Sequence, residues 1–158
     1  MHILVLQHAV VEHPGIFRSF LVRDGHSYDA VELDEGAVLP ALDAYDALWV
    51  MGGPMDVWQE AAHPWLKLEK ALIQEAVQTR KMPFLGLCLG HQLLAEALGG
   101  RVGKSNVPEV GVMEVSLTAE GATANIFSDL PQQFQCLQWH SAEVTAMPTG
   151  AVCLAASA

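Results

Sequence analysis

Pro83-Phe84-Leu85-Gly86-Leu87-Cys88-Leu89-Gly90-His91-Gln92 ends a short apolar run at a cysteine that has a glycine two residues to either side. Leu93-Leu94-Ala95-Glu96-Ala97-Leu98 follows with a helical pattern and closes on Gly99-Gly100. A strand that turns this sharply into a helix leaves room only for glycine beside the apex, which is the layout of a nucleophile elbow. Such a turn lifts one side chain over the carboxyl end of a sheet, at the positive end of the next helix. A thiol there is expected to ionise more easily than a free cysteine. Free cysteine is by default a small buried hydrophobe; the two spaced glycines at a strand–helix junction point instead to an exposed nucleophile.

Outward from this turn, apolar strands alternate with helical segments. Ile3–Gln7 reads as a strand buried on both faces, and Pro14–Arg23 as a helix closed by Gly25. Asp29–Leu33 and Ala47–Met51 read as the second and third strands. Pro64–Arg80 is the longest helix, opened by proline and ended by Arg80-Lys81. Phe84–Leu87 is the fourth strand and delivers Cys88. Beyond Arg101 the pattern predicts strands over Val110–Leu117, Phe134–Trp139 and Ala151–Ala155, with a brief helical segment near Ala124–Asp129. The fold class is therefore α/β: a doubly wound, mostly parallel sheet flanked by helices, of flavodoxin-like type. No repeat, linker or low-complexity segment interrupts it, and 158 residues suit one domain.

Composition narrows the function. Hydrophobic residues make up 51% and charged residues 16%, as in a folded globular domain. Acidic side chains outnumber basic ones 18 to 8, for a net charge of −10, and the basic residues are scattered. That balance excludes a nucleic-acid or anionic-membrane surface. No apolar stretch is long enough to span a membrane, and the amino terminus reads as a strand rather than a signal peptide. Cys88, Cys136 and Cys153 form neither a disulfide framework nor a metal-ligand spacing, so a reducing, cytoplasmic compartment is expected. Cys136 and Cys153 lie in apolar strand patterns and are expected to be core thiols. His8 and His13 follow the first strand, but two histidines without a third ligand do not make a metal site.

Ligands of open α/β sheets bind beyond the carboxyl ends of the strands. Two features meet there: the cysteine elbow, and the loop Met51-Gly52-Gly53-Pro54-Met55-Asp56 after the third strand. A thiolate attacking an acyl carbon needs donors for the developing oxyanion, and the N–H after the nucleophile with one from a glycine loop supplies them.

With Gly86-Leu87-Cys88-Leu89-Gly90-His91-Gln92, Gly52-Gly53-Pro54, Glu109-Val110-Gly111, Trp139-His140-Ser141 and Met147-Pro148-Thr149-Gly150-Ala151 as landmarks, the chain closely resembles the class I glutamine amidotransferases. The resemblance implies hydrolysis of glutamine to glutamate and ammonia through a cysteinyl thioester, with ammonia passed to a synthetase or other acceptor domain or subunit. It implies no metal and no organic cofactor. Cys88 would be the nucleophile, Gly53 and Leu89 the oxyanion donors, and Gln92, Ser141 and Ala142 would bind the substrate, with Gly52 and His140 lining the site.

One feature of that family is missing from the sequence. Its general base and orienting carboxylate lie in a His-Pro-Glu segment, and no His-Pro-Glu occurs in these residues. The expectation is a single domain over residues 1–158 without its C-terminal portion, inactive by itself, with an apolar patch beside the Trp139–Ser157 strands. His140 with Glu143 could replace the absent pair, although the spacing is three residues where the family uses two. His91, one helical turn beyond Cys88, is assigned to loop support. Two other functions stay open: a γ-glutamyl peptide or amide hydrolase, and a catalytically silent homologue with a binding or regulatory role.

Overall fold

The computed structural model describes residues 1–157. Its centre is β1 (His2–Gln7), whose five residues from Ile3 to Gln7 are all buried. Successive side chains of a strand point to opposite faces. Ile3 and Val5 accordingly pack with Leu21, Ala47 and Met51 on one face. Leu4 and Leu6 pack with Leu66, Ile73 and Leu93 on the other. The first layer is closed by α1 (Phe17–Arg23), which carries Leu21. The second is closed by α2 (Trp65–Gln74), continued as a π turn over Glu75–Thr79, and by α3 (Leu89–Ala97).

Beside β1 lie β2 (Ser27–Glu32) and β3 (Ala47–Val50), with β4 (Phe84–Gly86) beyond β3. The order β2-β1-β3-β4 is parallel throughout and reverses direction at the β1/β3 junction. This is the expected doubly wound sheet, with its switch point between the strands that end at Gln7 and Val50.

The remainder forms a separate antiparallel sheet, ordered β6-β5-β7. In it, β5 (Arg101–Leu117) and β6 (Gln133–Ala146) form a long hairpin. Both strands exceed their predicted lengths. Residues 101–109 include Gly103 and Pro108 and lack an apolar alternation, yet they stay extended by pairing with the end of β6, as in Gly103↔Glu143. A short helix α4 (Ala119–Ala122) and a 3-10 turn over Asn125–Phe127 stand near the predicted helical segment.

The predicted strand over Ala151–Ala155 is corrected to β7 (Ala155–Ser157), paired with the end of β5. Backbone groups at 153 and 154 bond to Thr118 instead of to a ladder: Thr118 N–H donates to the Leu154 carbonyl at 3.0 Å and Thr118 Oγ1 to that of Cys153 at 2.8 Å. Cys153 is consequently exposed and Cys136 half-buried, so neither is the core thiol expected from the sequence. The cross-strand pairs Val110↔Trp139 and Val112↔Leu137 of the hairpin are solvent-exposed, an apolar patch where one was expected, and its Val110↔Trp139 end borders the cleft at Cys88. Among the described residues no helix is long and apolar enough to cross a membrane.

Candidate active site

The segments that follow β3 and β4 meet β5 and β6 around one cleft. Cys88, between β4 and α3, has φ 50° and ψ −105°, a conformation that a residue with a Cβ adopts only when the surroundings enforce it. The flanking glycines explain how they do so. A methyl group on Gly90 would overlap the Val50 carbonyl oxygen, and one on Gly86 would come within 2.7 Å of the Gly90 carbonyl and the His91 nitrogen. The helix start is thus pressed directly against β3, and the elbow follows from the glycines.

Cys88 is exposed at the mouth of a cleft of about 340 Å³, in the range of small-molecule sites. Gly53, Cys88, Leu89 and Gln92 line one side, and Val110 of β5 with Trp139, His140, Ser141 and Ala142 of β6 the other. The structure therefore brings the sequence-nominated residues together from separate segments. Gly52 stands behind this lining, where a Cβ would lie 2.5 Å from Glu12 Oε2 and 3.8 Å from Cys88 Cβ. Gly53 is wedged between Leu89 and His8, 2.8 and 2.9 Å from where its Cβ would be.

Electrostatics at the elbow contradict the expected ready ionisation. Burial pushes the Cys88 thiol above its ordinary value, and the negative charge of Glu12 pushes in the same direction. The Leu89 N–H, hydrogen-bonded to the sulfur, pulls it down by less. Partial desolvation, with a smaller contribution from the Glu12 charge, outweighs the Leu89 hydrogen bond.

His140 has a carboxylate partner, but it is Glu109 and not Glu143. Residues 140 and 143 are three apart along a strand and point to opposite faces. Glu109 lies directly across the ladder, and its Oε2 is 3.0 Å from His140 Nε2. Gln138 Oε1 is 3.2 Å from the same nitrogen, while His140 Nδ1 is buried without a hydrogen-bond partner. His91 is on the exposed side of α3, its pKa lowered by partial desolvation and then by nearby His140. Gln92 is buried, and its Nε2 donates to the Ala142 carbonyl at 3.2 Å, tying α3 to β6. One of its two amide N–H donors is thus committed to the cleft wall. Among the described residues, no cluster of His, Cys, Asp and Glu is arranged to hold a metal ion.

Sequence reasoning missed Glu12 and Glu69. Glu12 follows β1 at the same sheet edge, and that position was its only signal. Glu69 had a clearer one: it falls at helical spacing between Leu66 and Ile73, a carboxylate on the apolar stripe of α2, and all three are buried.

A family model described as glutamine amidotransferase class-I matches residues 17–158. A subunit of the glutamine-hydrolysing GMP synthase of Sulfolobus acidocaldarius is 32% identical over 152 residues, covering 94% of this chain and 76% of the relative. Among solved structures, that of SMU.1228c superposes with a TM-score of 0.91 at 29% identity, over 99% of this chain and 68% of its own. A glutamine amidotransferase of Thermotoga maritima superposes with a TM-score of 0.88 at 29% identity, over 98% and 66%.

Proposed function

The chain belongs to the class-I glutamine amidotransferases, and we propose that its cleft converts glutamine to glutamate and ammonia through Cys88. The sulfur attacks the side-chain carboxamide carbon. The carbonyl electron pair moves onto oxygen, where the N–H groups of Gly53 and Leu89 receive it. Collapse of the tetrahedral adduct expels ammonia and leaves a γ-glutamyl thioester, which water then hydrolyses to glutamate and free thiol. Gln92, Ser141 and Ala142 surround the amino-acid end of the substrate. Proton transfer to the leaving ammonia and from the attacking water needs a general base. The family assigns that step to a His-Pro-Glu histidine, a segment absent from residues 1–158. His140, held by Glu109, is the imidazole that lines this cleft.

One observation carries the reading: Cys88 sits at positive φ with the Leu89 N–H on its sulfur and the Gly52-Gly53 loop against it. Ammonia passes to an acceptor domain or partner chain, a proposal supported by relatives named as one subunit of a glutamine-hydrolysing synthase. The same names do not favour a γ-glutamyl peptide hydrolase or a silent binding protein. Incubation with a chloroketone analogue of glutamine, followed by mass spectrometry, tests the assignment without requiring turnover. One adduct on Cys88, absent in Cys88→Ala and slowed by glutamine, is expected. An unmodified Cys88 under conditions in which iodoacetamide labels it rules the assignment out.

A further inference from the structure

Immediately after β1, His8 is fully enclosed, with its Nε2 2.9 Å from Oε1 of the equally enclosed Glu69 on α2. Its Nδ1 lies 2.8 Å from the Gly52 carbonyl oxygen, and its ring stacks on Trp65 with centroids 5.3 Å apart and planes 16° off parallel. A carbonyl oxygen only accepts, so Nδ1 carries a proton whatever the charge of the ring. Burial lowers the His8 pKa, but the Glu69 hydrogen bond and charge and the Gly52 carbonyl together raise it above the ordinary value.

Stability does not account for this pair. A buried ion pair often contributes little net stability compared with an apolar replacement. The other Glu69 oxygen, Oε2, is buried with no hydrogen-bond partner, which adds a desolvation cost. What the pair does hold is one peptide unit. In a trans peptide, C=O and N–H point in opposite directions. Fastening the Gly52 oxygen to His8 turns the Gly53 N–H away from the imidazole, on a loop that lines the cleft together with Cys88 and Leu89. Gly53 leaves no room for a side chain, since an added Cβ would meet Leu89 at 2.8 Å and His8 at 2.9 Å.

We propose that His8, braced by Glu69, is the positioning residue of the oxyanion hole, fixing the Gly52–Gly53 peptide so that the Gly53 N–H meets the developing oxyanion. This rests on Gly53 being an oxyanion donor, as argued above. The role belongs to the Nδ1 proton specifically. An asparagine amide nitrogen falls near imidazole Nδ1, and a glutamine amide nitrogen near Nε2, so the two substitutions separate the two nitrogens.

The test compares two alkylation rates of Cys88 in the full chain. The glutamine-like chloroketone places its ketone oxygen where the oxyanion forms. Iodoacetamide reacts at a saturated carbon and reports only thiol access and folding. In the Glu69→Gln background, which leaves no lone buried carboxylate, His8→Asn should keep the chloroketone-to-iodoacetamide ratio within about threefold of wild type. His8→Gln should lower it by about a hundredfold, the scale of one lost oxyanion donor. Equal ratios for Asn and Gln overturn the inference and leave Cys88 as nucleophile. Wild type that takes iodoacetamide but no chloroketone overturns the underlying reading and the inference with it. Should the His8→Gln protein not fold, Glu69→Leu and Glu69→Gln carry the test at the other nitrogen. Leucine should lower the ratio and glutamine restore it, and equal ratios again overturn the inference.

Discussion

The two sheets of this molecule use the same two-residue alternation and bury it to opposite degrees. In β1 and β3, Leu4, Leu6, Leu48 and Val50 are wholly enclosed. In the β5–β6 hairpin, Val112, Leu137 and Trp139 are 67%, 68% and 72% exposed. The difference comes from the connections between strands. A parallel pair requires a crossover, and the helical crossovers here lie against the faces of the sheet. An antiparallel pair needs no helix across its face, and the β5–β6 connection, through α4 and the 3-10 turn, leaves Val112 and Leu137 in solvent. Apolar character in a strand therefore reports that a face could be buried, while the connection decides whether it is.

The largest effect bearing on this contrast belongs to the elbow. Gly90→Ala forces a methyl group into the Val50 carbonyl and should cost more than about 4 kcal/mol. Chemical denaturation reads this loss directly, and a stable Gly90→Ala protein that still labels at Cys88 would refute the steric account. Next comes a matched pair of truncations. Leu48→Ala in the closed layer should lose about 2–5 kcal/mol, whereas Leu137→Ala on the open face should stay within about 0.5 kcal/mol. Similar losses for both would remove the distinction between the sheets.

The smallest effect is on reactivity rather than stability. Because burial and then Glu12 raise the Cys88 pKa, the thiolate population at neutral pH is below that of a free cysteine. Iodoacetamide labelling should therefore keep rising with pH above the range in which free cysteine levels off. Glu12→Gln should move that rise to lower pH and speed labelling near neutrality, with unfolding unchanged. A pH profile unaffected by this substitution would remove Glu12 from the site.

How legible the site was in the sequence depended on the range of each constraint. The elbow could be read because its causes lie within a few residues: Gly86 and Gly90 admit the turn, and the apolar runs on either side declare strand and helix. The order of strand and helix segments placed Gly53, Leu89 and Gln92 at the same sheet edge for a similar reason. The partner of His140 could not be read this way. Glu143 was near in sequence, but strand parity turns it away, and only the β5–β6 register brings Glu109 opposite. The sign of the Cys88 shift was equally hidden, because it depends first on how far packing desolvates the thiol and then, in smaller part, on a carboxylate from the loop after β1.

The doubly wound sheet, the elbow at Cys88 and the glycines that shape its surroundings are all written in the order of the residues. They follow from steric rules acting over a few positions at a time. Tertiary packing alone settled which charges face that cysteine, which side of the hairpin stays in water, and that His8 meets Glu69 from 61 residues away to hold Gly52. Those outcomes depend on how separate layers come together, and the local pattern of residues carries no record of the partner on the other side.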